Sequence, residues 1–280
     1  MANVIVNGIR LYYEVHGEGT PLVLTHGFGA TAAMWAEQIP VLSQKYKVIV
    51  YDFRGHGRTE VPRDWSSYSF DDYVEDLRQL LDHLGVDTAY VGGLSMGGSI
   101  AMRFALAHPE RLKALLLCDT SARNWGLRRD GVPQSGLRGV MRRFLYLRLV
   151  RLVPLGFALA RYLPLEYLPG NRGIKPYVRD LRRQTALGLR GAWHALMDDK
   201  DVEARLGEIQ VPTLIIVGER DRLLAPSRIM QQRIAGCRFA LIKDSGHGTN
   251  FARPDTFNKV VLDFLADVDA GRPVAGEIAL

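Results

Sequence analysis

Three residues of this chain have the types and the order that nucleophilic catalysis requires. Ser95 lies in Gly93-Leu94-Ser95-Met96-Gly97, which fits the pattern G-x-S-x-G. Asp221 follows in Gly218-Glu219-Arg220-Asp221, and His247 in Ser245-Gly246-His247-Gly248. A serine hydroxyl is a poor nucleophile at neutral pH and needs a base within hydrogen-bond reach, itself oriented by a carboxylate. A sharp strand-to-helix turn exposes the hydroxyl, and glycines at 93 and 97 remove Cβ atoms that would crowd such a turn. Taken alone, the pentapeptide also reads as a Gly-rich turn around an ordinary serine. The order serine, acid, histidine, each just past a strand-like run, selects the chemical reading: attack on a carbonyl carbon through a covalent acyl intermediate.

Other residues compete for these roles. Asp119 also follows a strand-like run and is a second candidate acid; Asp221 is preferred by analogy with other folds of this kind. Asp52 sits before Arg54-Gly55-His56-Gly57, which reads as a tight turn that pairs this carboxylate locally. His16, His56, His83, His108 and His194 have no setting comparable to that of His247. The charge that develops on a tetrahedral intermediate needs backbone N–H donors. Met96, just past the serine at a helix start, can supply one. Phe28, within His26-Gly27-Phe28-Gly29, can supply the other, with Gly27 and Gly29 letting the loop approach.

The elements that must position these residues follow from periodicity. Val4 to Tyr13 alternates around Asn7-Gly8, a hairpin signal. Pro21–His26, Lys47–Tyr51, Thr88–Gly92, Leu112–Cys118, Pro212–Gly218 and Phe239–Lys243 read as strands. Between them, Met34–Leu42 reads as a helix interrupted or ended near Pro40. Asp71–Leu84 places Tyr73, Val74, Leu77, Leu80, Leu81 and Leu84 at helical spacing, with Gly85 closing it. Helices are also expected over Met96–His108, from Pro226, and from Pro254 with Phe257, Val260, Val261, Phe264 and Leu265 on one face. This alternation of strand and helix predicts a mostly parallel, doubly wound α/β sheet preceded by an antiparallel hairpin. The alternation pauses from about Ala122 to Lys200, and the tail from Ala270 is expected to fray.

Composition narrows the partners. A chain of 280 residues with 47% hydrophobic residues can bury one large core with an insertion. The net charge is +6, yet residues 124–195 alone carry 14 Lys/Arg against 3 Asp/Glu. No nucleic-acid motif accompanies that basic segment, so no nucleic-acid partner is expected. No signal peptide and no membrane-spanning run are read in the sequence. Cys118 and Cys237 read as buried thiols rather than a disulfide or a metal motif, which agrees with a cytoplasmic setting. No nucleotide fingerprint is present, and neither a metal nor any other cofactor is expected. The oligomeric state is not readable.

With His26-Gly27-Phe28-Gly29, Asp52-Phe53-Arg54-Gly55-His56-Gly57, Gly93-Leu94-Ser95-Met96-Gly97-Gly98, Asp221 and His247 in this order, the chain resembles the α/β-hydrolase superfamily. Gly93–Gly98 together with Leu116-Leu117-Cys118-Asp119-Thr120-Ser121 is similar to the carboxylesterase and 3-oxoadipate enol-lactonase branch. A serine nucleophile argues against the dehalogenase and epoxide hydrolase branches. The resemblance implies an eight-stranded, mostly parallel sheet flanked by helices. It also implies a core of residues 1–121 and 201–280 interrupted by a helical lid at 122–200. Within that segment, Arg142–Leu163 departs from the lactonase pattern. Its apolar residues, Phe144 and Leu147 among them, and Trp125 are candidates for substrate contact. The arginines of this segment point all round a helix, which suits packing on the core with snorkelling arginines better than a membrane surface.

The function expected is that of a serine hydrolase cleaving carboxylic esters, with medium or lipophilic acyl chains. A lactonase or C–C bond hydrolase on a small anionic ring-cleavage product would use the same triad. So would a perhydrolase or haloperoxidase-type activity. A ligand receptor on the same scaffold is the alternative outside enzymes.

Overall fold

The computed structural model describes residues 2–123, 182–198 and 201–280. Two strands, β1 (Ala2–Val6) and β2 (Ile9–His16), form an antiparallel hairpin. Its turn places Asn7 at φ 44° and Gly8 at φ 75°, the left-handed pair that a two-residue hairpin loop requires. The remaining strands are β3 (Pro21–Thr25), β4 (Lys47–Asp52), β5 (Ala89–Leu94), β6 (Leu112–Cys118), β7 (Thr213–Gly218), β8 (Arg238–Ile242) and β9 (Gly276–Ala279). They make one sheet in the order β1-β2-β4-β3-β5-β6-β7-β8-β9. All neighbours from β4 to β9 run parallel.

Both faces of this sheet are covered, and the strands alternate between two cores. On β4, Ile49 and Tyr51 enter one apolar cluster while Val48 and Val50 enter the other. On β7, Ile215 and Val217 face the first cluster, and Leu214 and Ile216 the second. Burial on both faces explains why these strands read as unbroken apolar runs. The first cluster is closed by α2 (Phe70–His83) and α3 (Met96–Ala107), the second by α1 (Ile39–Leu42) and the later α7 (Pro254–Asp269).

Helix α2 starts where the Ser69 hydroxyl accepts the Asp72 N–H at 3.1 Å. It buries Tyr73, Leu77, Leu80 and Leu81, each full burial contributing about 1.5–3 kcal/mol. It ends before Gly85, at φ 62°. Helices α4 (Ala186–Asp198), α5 (Leu224–Arg233) and α6 (Thr249–Ala252) complete the described set. None of the described helices is long and apolar enough to cross a membrane.

Two expectations change. The segment expected as a helix at Met34–Leu42, interrupted or ended near Pro40, is a 3-10 turn, Ala32–Trp35, followed by the short α1 with Pro40 in its first turn. Proline supplies no N–H and cannot continue a helix from before it. The sheet has nine strands rather than eight, because the tail expected to fray adds β9 beside β8. All four β9 residues are exposed, so no apolar pattern marks the strand. Backbone bonds hold it instead, including Leu280 N–H to Leu241 O at 3.0 Å, together with the Arg228–Glu277 ion pair. Trp125, Phe144 and Leu147 lie outside the described residues, as does most of the expected lid. Of segment 122–200 the described helix is α4.

Candidate active site

The strand order reverses at β3, which has β4 on one side and β5 on the other. In such sheets, reacting groups gather at the carboxyl ends of strands beside the reversal. Ser95 lies there, directly between β5 and α3. Its backbone, at φ 59° and ψ −119°, is in a region that non-glycine residues rarely adopt, and only 7% of the residue is exposed. The surroundings over-determine this turn. Ser95 N–H donates to Cys118 O at 2.9 Å, and the Thr120 hydroxyl donates to Ser95 O at 2.7 Å. Across the turn, the Thr25 hydroxyl lies 3.0 Å from Gly92 O and 2.8 Å from Gly97 O.

The elbow glycines fit that account. A Cβ on Gly93 would overlap Thr25 Oγ1 and the Gly97 carbonyl; one on Gly97 would overlap the carbonyls of Thr25 and His26. Glycine is required here because neighbouring backbones touch.

The two other triad candidates meet each other. His247 donates from Nδ1 to Asp221 Oδ2 at 2.9 Å. Asp221 follows β7 and His247 precedes α6. The second Asp221 oxygen accepts Leu223 N–H at 3.0 Å. Burial works to raise the Asp221 pKa, but the bonds from His247 and Leu223 outweigh it and hold the carboxyl below its ordinary 3.8. For His247 burial works downward, but the Asp221 bond and charge, with the charge of Asp119, carry the imidazole above 6.5.

Asp119 does not bond the imidazole. Its carboxylate accepts Gly248 N–H at 3.0 Å, Thr249 N–H at 2.8 Å, the Thr249 hydroxyl at 2.8 Å and Gly218 N–H at 3.2 Å. Asp52 is bound as expected within its turn, by Arg58 N–H at 2.9 Å, and also reaches Ala32 N–H at 2.7 Å.

The loop after β3 runs past the serine. A Cβ on Gly27 would lie 3.5 Å from Ser95 Cβ. A bond from Ala30 N–H to Gly27 O at 3.1 Å closes a turn with Phe28 and Gly29 at its centre, Gly29 at φ 71°. Met96 opens α3, where the first N–H groups have no acceptor within the helix. Both candidate oxyanion donors therefore belong to segments that flank Ser95.

Two histidines that sequence reasoning passed over secure this loop. His26 donates from Nδ1 to Gly27 O at 2.8 Å and accepts Phe53 N–H on Nε2 at 3.2 Å, its ring stacked 3.7 Å from Phe53. His56 accepts Gly29 N–H at 3.2 Å and donates to Arg54 O at 3.2 Å. Burial drives both pKa values down, His26 well below 6.5 and His56 to about 4, so both rings are neutral at pH 7. The signal was the repeated His-Gly pair, one after β3 and one after β4.

Helix α4 lies over the same region. Gly188 meets Gly55 backbone to backbone, Gly191 lies against the Tyr68 ring, and Trp193 meets the Phe28 ring edge-on at 5.6 Å.

Residues 20–254 match the family described as alpha/beta hydrolase fold. The chain is 31% identical over 269 residues to a protein of Azorhizobium caulinodans named "Putative carbamate hydrolase RutD", covering 92% of this chain and 96% of the relative. It superposes on the enol-lactonase from Burkholderia xenovorans with a TM-score of 0.72 and 29% identity, over 95% of this chain and 100% of that one. A thermophilic esterase from Thermogutta terrifontis gives a TM-score of 0.77 and 28% identity, over 96% and 99% of the two chains. With this match across most of its length, the chain is a hydrolase that belongs to the α/β-hydrolase fold family.

Proposed function

We propose that this hydrolase cleaves carboxylic esters through an acyl-enzyme formed on Ser95. The observation that carries the reading is the 2.9 Å bond between His247 Nδ1 and Asp221, in a chain that also holds Ser95 on a strained turn. A carboxylate accepting at Nδ1 leaves Nε2 unprotonated, the tautomer a general base needs. Ser95 Oγ then attacks the carbonyl carbon as His247 Nε2 takes its proton. Asp221 stabilises the imidazolium. The N–H groups of Phe28 and Met96 receive the developing oxyanion, next to the positive end of α3. His247 returns the proton to the leaving alcohol, and then activates the water that releases the acid.

The Phe28–Trp193 contact supports an acyl group with apolar surface, since Phe28 follows Gly27 in the loop that passes Ser95. In this reading, residues 122–200 form a lid over a core made of 1–121 and 201–280. The two buried, unpaired thiols, Cys118 and Cys237, suit a reducing compartment such as the cytoplasm.

A second reading, a lactone substrate, is favoured by the whole-length likeness to an enol-lactonase. Its chemistry is the same, except that the leaving alcohol stays tethered to the acyl group. One assay separates the two: nitrophenyl esters of increasing acyl length beside a panel of lactones, on wild type and Ser95→Ala. The ester reading expects turnover of the linear series with an optimum at medium chain length. It also expects loss of at least about four orders of magnitude in the variant. Turnover of lactones alone would replace it with the second reading; a folded enzyme inert on both panels would refute both.

A further inference from the structure

The short stretch Cys118-Asp119-Thr120 binds Ser95 and the segments that carry Asp221 and His247. Its first and last residues hold the serine: Ser95 N–H is bound by Cys118 O at 2.9 Å, and Ser95 O by the Thr120 hydroxyl at 2.7 Å. Its middle residue holds the other two loops. Asp119 Oδ2 accepts three donors from Gly248 and Thr249, the residues that follow His247. Asp119 Oδ1 accepts Gly218 N–H at the strand end that leads to Asp221. The residue is fully buried and adopts φ 45°, a left-handed conformation that asparagine and aspartate tolerate better than other side chains. Burying a carboxylate is costly unless it is hydrogen-bonded, and four donors converge on this one.

We propose that Asp119 is a positioning residue for His247: its carboxylate fixes the histidine loop relative to Ser95 and Asp221, and it places a second negative charge beside the imidazole. The assignment rests on the serine-hydrolase reading above. It separates the two acids by task. Asp221 bonds the ring and sets its tautomer, whereas Asp119 bonds the backbone that carries the ring. Among the described residues, the charged groups that act on the imidazole include Asp221 and Arg222 beyond β7, and Asp119 beyond β6. Asp221 and Asp119 favour the imidazolium and Arg222 opposes it. Asp119 in turn is influenced by His247 and Asp221; burial raises its own pKa to about 6, against the Thr249 bond, so it is ionised above that pH.

The test uses labelling of Ser95 by a fluorophosphonate, which needs the serine and its base but no knowledge of the natural substrate. Rates are measured across pH for wild type, Ser95→Ala, Asp119→Asn, Thr249→Val and Thr249→Ser. Asp119→Asn is expected to label at least about tenfold more slowly, because an amide nitrogen now faces backbone donors. Its acid limb is expected at lower pH than in wild type, since the anion that favours the imidazolium is gone. A purely structural role would slow the reaction without moving that limb. Thr249→Val is expected to label several-fold more slowly, and Thr249→Ser, which keeps the hydroxyl, to restore the rate. A folded Asp119→Asn enzyme with the wild-type rate and limb overturns the proposal. If that variant does not fold, the Thr249 pair decides: Val as fast as wild type, or Ser as slow as Val, overturns it. Failure of wild type to label at Ser95 removes the underlying hydrolase reading, an outcome visible before any Asp119 variant is compared.

Discussion

Asp221 holds the imidazole of His247 through one oxygen at 2.9 Å and caps the N–H of Leu223 with the other at 3.0 Å, so both carboxylate oxygens are committed. Asp221→Asn keeps the shape but offers either an amide oxygen or an amide nitrogen to Nδ1. With Leu223 N–H claiming the oxygen, the nitrogen faces the ring, and the favoured tautomer carries its proton on Nε2, where it cannot accept one from Ser95. The expected loss in kcat is about ten-thousandfold, with folding retained. Steady-state kinetics beside circular dichroism check this. A loss below about tenfold would show that Asp119, not Asp221, serves as the acid.

The pH profile follows from the same pair. Neutral His247 is the form that accepts a proton, and its pKa lies above 6.5 through the charges of Asp221 and Asp119. Activity therefore falls as pH drops through that raised value and reaches its plateau above it. His26 and His56, driven down by burial, are neutral throughout this range and contribute no limb near neutrality. A profile of kcat/KM from about pH 5 to about pH 9 is expected to show one acid limb with its midpoint above 6.5. A midpoint well below that value would mean that desolvation outweighs the two carboxylates.

Much of this was legible in the chain because it depends on local chemistry. Gly93 and Gly97 announce a turn where Thr25 and the next backbone segment come too close for a Cβ. Strands β3 to β8 announce themselves by apolar runs, since both faces are covered. The role of Asp119 was not legible, and the repeated His-Gly pairs mark His26 and His56 without naming their partners. Each has a partner among backbone groups distant in sequence: Gly248 and Thr249 for Asp119, Phe53 for His26, and Gly29 for His56. Neither spacing nor periodicity encodes such partners. β9 escaped notice for a related reason, as an exposed edge strand held by backbone bonds carries no hydrophobic pattern.

The glycines beside Ser95 make contrasting demands. Gly93→Ala forces a methyl group into Thr25 Oγ1 and the Gly97 carbonyl, which are backbone or short side-chain groups that cannot swing away. Overpacking of this kind costs about 1–3 kcal/mol or more, and the elbow itself would be displaced. Gly27→Ala adds a methyl at ordinary contact distances, 3.4 Å from Leu94 O and 3.5 Å from Ser95 Cβ, with no positive φ to strain it. That variant is expected to fold with nearly wild-type stability yet to turn over more slowly, because the new methyl borders the nucleophile. Urea unfolding and ester kinetics on both variants test the contrast. Equal destabilisation of the two would contradict it.

Arg54 and Asp76 form a buried ion pair that supports the loop behind the candidate oxyanion donors. Arg54 is 2% exposed and Asp76 fully buried; the guanidinium bonds both carboxylate oxygens and also donates to Ser67 O at 2.5 Å. Beyond Arg54, Asp76 accepts Asn7 Nδ2 at 3.1 Å. Arg54→Met keeps most of the volume but leaves a carboxylate in an apolar site. Breaking a buried pair from one side costs about 3–5 kcal/mol. Burial already raises the Asp76 pKa against the pull of Arg54, and removing Arg54 raises it further. A group whose folded-state pKa is raised stabilises the fold at low pH and loses that contribution as pH rises through the raised value. The Arg54→Met penalty is therefore expected to be smaller at about pH 5 than at about pH 8, where Asp76 must either ionise in the core or hold a costly proton. Asp76→Asn in the Arg54→Met background should recover part of the loss at the higher pH, since a neutral amide replaces the stranded charge. Urea unfolding at both pH values reads each step. A penalty that does not change with pH would mean that packing by Arg54, rather than its charge, is what stabilises this loop.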